Sequence, residues 1–383
     1  MKRFLFIFAI LLCMAGCKPD DRRAQLIGSW KTCWPVKQWN GTDSVTTYQS
    51  VPWSLNIAFI NDSIMEMPFH MYRRIPTKDH LRYCGYTTRY RIRQDSILYL
   101  NLADSTWTYF AGIREITSDL LELEMDGQDS VRFCRIKAAP DTTFHFDKIV
   151  LSSTGCEGYC PVADMMIDAQ GTFIYNGKMY AADSGLFETH VSPGIFREVA
   201  SRFEKADVIH LDSVYDDGAT DNSSIITVFL HHDSIIQSIE DIGAQGTHAL
   251  YMAYPHLKYL IQDVFPEPLN TSSLPAYTRL LPVSFEQNRL YITLTEAERF
   301  LLWDYLRKGA LTTGSYEATW ELRVNDPRMS PSWWEHPDQK EPRVETDGRY
   351  YTFHMQTGDV VTVDIGFNFL ERNAAFLKPK SKM

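Results

Sequence analysis

Cys156-Glu157-Gly158-Tyr159-Cys160-Pro161 is the sharpest chemical spacing in the sequence, two thiols separated by three residues. Two chemistries compete for it. Thioredoxin-type exchange uses a two-residue spacer, with the first thiol at a helix N-terminus that lowers its pKa. Here the spacer is one residue longer, Gly155 and Gly158 loosen the chain, and strand-forming residues flank it. A turn brings such positions to a Cα separation of about 5.5 Å, which a disulfide spans. The pair is read as a structural disulfide, with thiol–disulfide redox exchange as the alternative. Zinc on Cys156 and Cys160 would need two further ligands, and no Cys-x2-Cys or His-x3-His pair offers them. His231-His232-Asp233 falls at an expected hairpin tip, where polar residues face water. Asp216-Asp217-Gly218 with Asp221-Asn222 offers hard oxygens, but without the spacing of an EF-hand loop. No metal site and no cofactor are assigned. Trp333-Trp334, in the Pro-rich stretch 326–342, are the candidate ligand-binding residues, because rigid amphipathic rings suit a glycan or protein partner. No Gly-x-Ser-x-Gly, P-loop or dinucleotide fingerprint occurs, so no catalytic residue is assigned. A hydrolase with dispersed residues is the remaining enzymatic alternative.

Another reactive residue stands near the start. Lys2-Arg3, the apolar run Phe4–Leu12 and Met14-Ala15-Gly16-Cys17 follow one another. A run of that length matches a signal h-region and is too short to span a bilayer. These residues resemble the lipobox of a bacterial lipoprotein signal peptide. The resemblance implies removal of residues 1–16, acylation of Cys17, and a tether over 17–24. At about 0.8 kcal/mol per buried methylene, several acyl chains would hold the chain on a membrane. Lys18-Pro19-Asp20-Asp21 resembles an acidic export signal of outer-membrane lipoproteins, although Pro19 interrupts it and Arg22-Arg23 follow. The expected address is the outer membrane, at the cell surface or the periplasmic face.

Composition narrows the partners. The 383 residues carry a net charge of −10, and loss of Lys2 and Arg3 makes it −12. No basic stripe offsets this acidity, so nucleic acid is excluded as a partner. A small apolar ligand, a glycan or an envelope protein remain. Beyond Cys17 the cysteines are Cys33, Cys84, Cys134, Cys156 and Cys160. Their number is odd, so at least one thiol is free or pairs between chains, and the pairing of Cys33, Cys84 and Cys134 stays open.

The elements that must position these residues are mostly strands. An aromatic content of 13% favours β structure. Asp-Ser followed by Ile or Val recurs at Asp43, Asp62, Asp95, Asp129, Asp212 and Asp233. Asp and Ser bond back to the backbone in turns, and the β-branched residue opens the next strand. Hairpins are predicted at Ser54–Phe59 into Ile64–Met67, Tyr86–Arg93 into Ile97–Leu100, and Leu120–Met125 into Val131–Phe133. In series they describe an up-and-down antiparallel barrel over 25–137. Gly28-x-Trp30, Ile116-Thr117-Ser118-Asp119-Leu120-Leu121 and Phe133-Cys134-Arg135 make this region resemble the lipocalin-like domains of bacterial lipoproteins. That resemblance implies that Trp30 plugs the closed end with Arg135 packed over it, and it permits a ligand cavity without requiring one.

A second unit is expected over 146–266. Its hairpins Met165–Tyr175 and Ile225–Ile239 flank a helix begun by Ser192-Pro193, and a further helix over 247–264 is expected to kink or break at Pro255. With its Cys-x-Gly-x-Cys-Pro motif it resembles an uncharacterised domain family of bacterial exported proteins, which implies no chemistry. A third unit is expected over 275–372, with a capping box at Thr295–Glu298 and a helix ended by Gly309. The fold class is β-rich and multidomain: an N-terminal lipocalin-like β-barrel followed by two α+β modules.

Overall fold

The computed structural model describes residues 21–39, 44–49, 54–75, 81–125, 130–137, 144–216, 218–269, 284–323, 343–355 and 358–381. They fall into two compact units, one up to residue 139 and one from Pro140 onward.

The first unit opens with α1 (Asp21–Leu26), in a stretch partly read as tether, and continues into β1 (Gly28–Thr32). The hairpin β2 (Trp34–Trp39) and β3 (Ser44–Gln49) stands apart as a two-stranded sheet. A meander follows: β4 (Asn56–Phe59), β5 (Ile64–Arg74), β6 (Leu81–Arg93), β7 (Ser96–Asn101), β8 (Thr106–Ile116), β9 (Leu120–Met125) and β10 (Val131–Arg135). Each strand pairs antiparallel with the next, and β1 closes the ring between β10 and β4. Omitting the inserted hairpin, this is the expected up-and-down barrel, with eight strands. Alternation drives it: Ile97 and Tyr99, Leu121 and Leu123, and Phe133 are buried while their neighbours along the strand are less so.

The second unit holds two sheets. The first is built from β11 (Lys148–Ser153), β12 (Ala163–Asp168), β13 (Thr172–Gly177), β14 (Gly185–His190), β15 (Val214–Tyr215), β16 (Ser224–His231), β17 (Ser234–Ile242) and β18 (Glu267–Pro268). Its order is β15-β17-β16-β11-β12-β13-β14-β18. Helices α2 (Pro193–Lys205) and α3 (His248–Lys258) cover one face, packing Phe196, Phe203, Leu250 and Tyr254 on Ile149, Leu151, Met165 and Phe229. Pro255 does not break α3, whose last residue is Lys258; a 3-10 turn, Leu260–Asp263, follows. Proline lacks the N–H that an ordinary helical residue donates, and here that loss falls in the last turn of the helix.

The second sheet comprises β19 (Ser284–Gln287), β20 (Leu290–Thr293), β21 (Ala310–Thr312), β22 (Trp320–Arg323), β23 (Arg343–Thr346), β24 (Tyr350–His354), β25 (Val360–Asp364) and β26 (Lys380–Ser381), with α4 (Glu296–Lys308) and the short α5 (Phe369–Arg372). Thr295 and Glu298 make the capping box that starts α4. Gly309 ends it in an extended conformation, with φ −66°, rather than the left-handed one usual for a terminal glycine. The glycine serves close approach instead, because a Cβ there would lie 2.4 Å from a Val363 methyl.

The two segments expected as separate modules share one core. Phe300, Leu301 and Trp303 of α4 pack with Val150, Met166, Ile174 and Val228 of the first sheet and with Phe285, Tyr351 and Phe353 of the second. The first sheet is thus buried on both faces, Ile149 and Leu151 toward α2 and α3, Val150 toward α4. Its central strands read as continuous apolar runs for this reason. Polar ties reinforce the packing: Ile235 N–H donates to Asn373 Oδ1 at 2.8 Å, and Ser238 Oγ–H to Glu298 Oε1 at 3.0 Å.

Candidate functional site

One end of the barrel is plugged by a tryptophan. At the sealed end Trp30, fully buried, donates its indole N–H to Leu26 O at 2.8 Å, and the Arg135 guanidinium lies 4.0 Å from its ring centroid. Arg135 also donates to the carbonyls of Gln25, Ile27 and Ser118, so the plug joins α1, β10 and the β8–β9 turn. Gly28 has φ +135°, and a Cβ there would meet the guanidinium at 2.3 Å, which explains glycine two residues before the tryptophan. β5 starts at this end and runs to the other. There the His70 ring lies 6.2, 5.7 and 5.8 Å from those of Tyr72, Tyr83 and Tyr86. The sequence reading missed this aromatic cluster, because two of its members are on β5 and two on β6 and only an irregular strand register brings them together.

Cys33 and Cys134 are joined, with Cα atoms 5.8 Å apart, and tie the exit of β1 to β10. Cys84 is not disulfide-bonded and lies half-buried. Cys156 and Cys160 are joined across a surface loop, with Cα atoms 5.6 Å apart. Gly158 N–H points to Cys156 Sγ at 3.3 Å, and Glu157 N–H donates to Asp221 O, so the acidic turn flanks the loop. Tyr159 is 84% exposed and meets Tyr180 edge-on at 5.1 Å. Nearby, the buried Asp164 carboxylate accepts from Ser152 Oγ, Asn176 Nδ2 and Lys178 Nζ at 2.7–3.0 Å. Those bonds lock β11, β12 and the end of β13 together, a scaffold for the loop.

The acidic turn uses its groups locally. Asp216 Oδ1 accepts from Gly218 N–H, and Asp221 Oδ1 from Thr220 Oγ, while Asp217 lies outside the described residues. Cys17, Trp333 and Trp334 lie outside them as well.

His231, His232 and Asp233 do form the β16–β17 tip, and the structure adds Asp147 to it. Ligand atoms of Asp147, His231 and His232 all lie within 4.8 Å of one another. Asp233 is turned to Tyr305, whose hydroxyl donates to it at 3.3 Å. No spacing in the sequence announces Asp147, which stands 85 positions before His232; the antiparallel pairing of β11 with β16 places it. Phe144 meets the edge of His231 at 5.9 Å and also lines a surface cleft of about 200 Å³ with Phe146, Glu204, Asp207 and His210.

Among the described residues, three carboxylates have raised pKa values. Burial is the leading cause at Asp241, Glu240 and Glu298, and Glu296 adds repulsion at Glu240. Asp241 recovers part of the cost by accepting from Gly246 N–H at 3.0 Å and Tyr254 Oη–H at 3.1 Å. A carboxyl whose folded pKa exceeds its unfolded one holds its proton to higher pH when folded. Its stabilisation is full below the unfolded pKa and is lost as pH rises through the folded one. Thermal melts from about pH 4 upward are therefore expected to show a decline that Asp241→Asn reduces, because the amide stays neutral and keeps partners for Gly246 and Tyr254. Parallel pH curves for wild type and variant would contradict the assignment.

Residues 147–261 match the profile of a domain of unknown function (DUF6438), within the segment expected at 146–266. No curated protein matches the chain, and no solved structure matches it.

Proposed function

We propose that this chain is a lipid-anchored protein of the bacterial outer membrane that works by binding a small apolar ligand or an envelope partner, without turnover. The observation that carries the reading is the disulfide pairing of Cys33 with Cys134 and of Cys156 with Cys160. Disulfides persist in oxidising compartments outside the cytoplasm, which is where a lipobox ending in Cys17 would deliver the chain. The two signals are independent, since one lies in the folded units and the other in the leader. Among the described residues no helix is long and apolar enough to cross a membrane, so the acyl chains would be the anchor.

Binding is the activity that the barrel supports. A lipocalin-like barrel plugged at one end by Trp30 and Arg135 leaves the His70, Tyr72, Tyr83 and Tyr86 lining at the other as the entrance. The Cys156–Cys160 disulfide is half-buried in a surface loop whose Glu157, Gly158 and Tyr159 are exposed, which keeps exchange with an outside thiol as the second reading. Labelling cells with a radioactive fatty acid is expected to mark the wild-type chain and miss Cys17→Ala, which then leaves the membrane fraction or stays unprocessed. Label retained by the variant, or absent from both, refutes the anchor. Lipid co-purifying with Cys17→Ala but lost from His70→Ala with Tyr86→Ala would place the ligand in the barrel, whereas rapid catalysed reduction of insulin by the Cys156–Cys160 pair would favour the redox reading.

A further inference from the structure

We propose that Asp147, His231 and His232 form a binding site for one borderline divalent metal ion, of the zinc, nickel or copper class. The site is independent of the barrel. It is assembled where β11 begins and β16 ends. Asp147 N–H donates to Leu230 O at 3.0 Å, and Ala169 N–H donates to Asp147 O at 2.8 Å, so the backbone that carries the carboxylate is fixed on both sides. The His232 N–H donates to Asp147 Oδ2, which orients the carboxylate itself.

The second observation concerns His231. Its Nδ1 is covered from solvent and has no hydrogen-bond partner. It lies 3.8 Å from Asp147 Oδ2, too far for a hydrogen bond. Two ligands each about 2.0–2.2 Å from one tetrahedral ion stand roughly 3.4 Å apart, so a shift of a few tenths of an ångström would bring both onto a shared cation. A covered ring nitrogen left without a partner is otherwise a defect, and an ion corrects it.

The turn that presents the imidazoles points the same way. His232 and Asp233 have φ of 50° and 58°, a two-residue hairpin turn in which asparagine and glycine are the inexpensive choices. The rings of His231 and His232 lie 3.9 Å apart, bringing two donors to one spot. Phe144 shields one side, while His232 is exposed, which leaves a coordination position for water or an exogenous ligand. Two imidazoles and one carboxylate select borderline ions over calcium or magnesium, which take oxygen ligands. Three protein ligands with an open position describe a site that exchanges or presents its metal, not a closed structural one.

Zinc titrated into the purified chain, free of any histidine tag, is expected to bind at one ion per chain with micromolar or tighter affinity by calorimetry. His232→Ala, at an exposed turn position, and Asp147→Asn should each weaken binding by about tenfold or more. His210→Ala, which removes another surface imidazole beside a carboxylate, should leave it unchanged. Cobalt in place of zinc should give a visible absorption spectrum that His231→Ala abolishes, with circular dichroism establishing that each variant folds. Absence of zinc binding to the wild type, affinity unchanged in folded His232→Ala and Asp147→Asn, or a site lost with His210→Ala instead would overturn the proposal.

Discussion

Replacing Cys33 and Cys134 together by serine is expected to cost the barrel about 4–5 kcal/mol, from the chain entropy that a crosslink across some 100 residues removes from the unfolded state. The bridge joins positions 101 apart and links the first barrel strand to the last, where the ring closes. The paired substitution matters, since Cys33→Ser alone would leave Cys134 as an unpaired thiol open to oxidation or intermolecular pairing. Cys156–Cys160 gives a useful contrast. It spans four positions, and the same relation assigns it about 2 kcal/mol. Hydrogen exchange under increasing denaturant should show barrel peptides such as 120–125 and 131–135 losing protection early in the Cys33/Cys134 variant. In Cys156→Ser with Cys160→Ser, those peptides should behave as in the wild type. A barrel loss below about 1 kcal/mol would mean that the unfolded chain already holds its ends close, so that the crosslink removes little entropy.

The barrel was legible in the sequence because its strands face the interior on one side. Leu121 and Leu123 alternate with Glu122 and Glu124, and the turns at Asn61 and Gln94 separate neighbouring strands of the meander. The Asp-Ser tripeptides were equally informative, since the Ser or the β-branched residue of each opens a strand: β3, β5, β7, β10, β15 and β17. Legibility fell where burial is two-sided. Val150 and Leu151 are both inside, facing different helices, so no period in the sequence tells which partner covers which face. The shared core followed from that ambiguity: α4 reads as an ordinary amphipathic helix, yet it is buried on nearly every side, including at Glu298, Arg299 and Asp304. The same limit applies to the sites. Cys156 and Cys160 are close in sequence and announced themselves, whereas Asp147 reaches His231 through strand pairing, and the cluster of His70, Tyr72, Tyr83 and Tyr86 is assembled by a bulged register. Local chemistry was visible; chemistry assembled by topology was not.

Asp304→Ala is expected to remove about 3–5 kcal/mol from the second unit, the cost of leaving buried cations without their counter-charge. The Asp304 side chain is almost fully buried in α4, and accepts from Arg307 Nε at 2.9 Å and Lys308 Nζ at 2.8 Å. Lys148, on the first strand of the neighbouring sheet, stands 3.9 Å away and lies over the Tyr305 ring. Lys308 can turn to water, being half-exposed, but Arg307 and Lys148 cannot. Glu188 offers Arg307 a second carboxylate at 3.1 Å, so Lys148 is the charge left most exposed to the loss. Asp304→Asn should cost less, because its amide oxygen still accepts a hydrogen bond. The location of the damage is the more telling result. Since α4 fills the space between both sheets, peptides from β11 and from β24 should lose exchange protection together in Asp304→Ala, in one cooperative step. Loss confined to β19–β25, with β11 and β16 still protected, would mean that the domain matched at 147–261 is stable without the helix that covers it, and that the shared core is a contact between two independent folds.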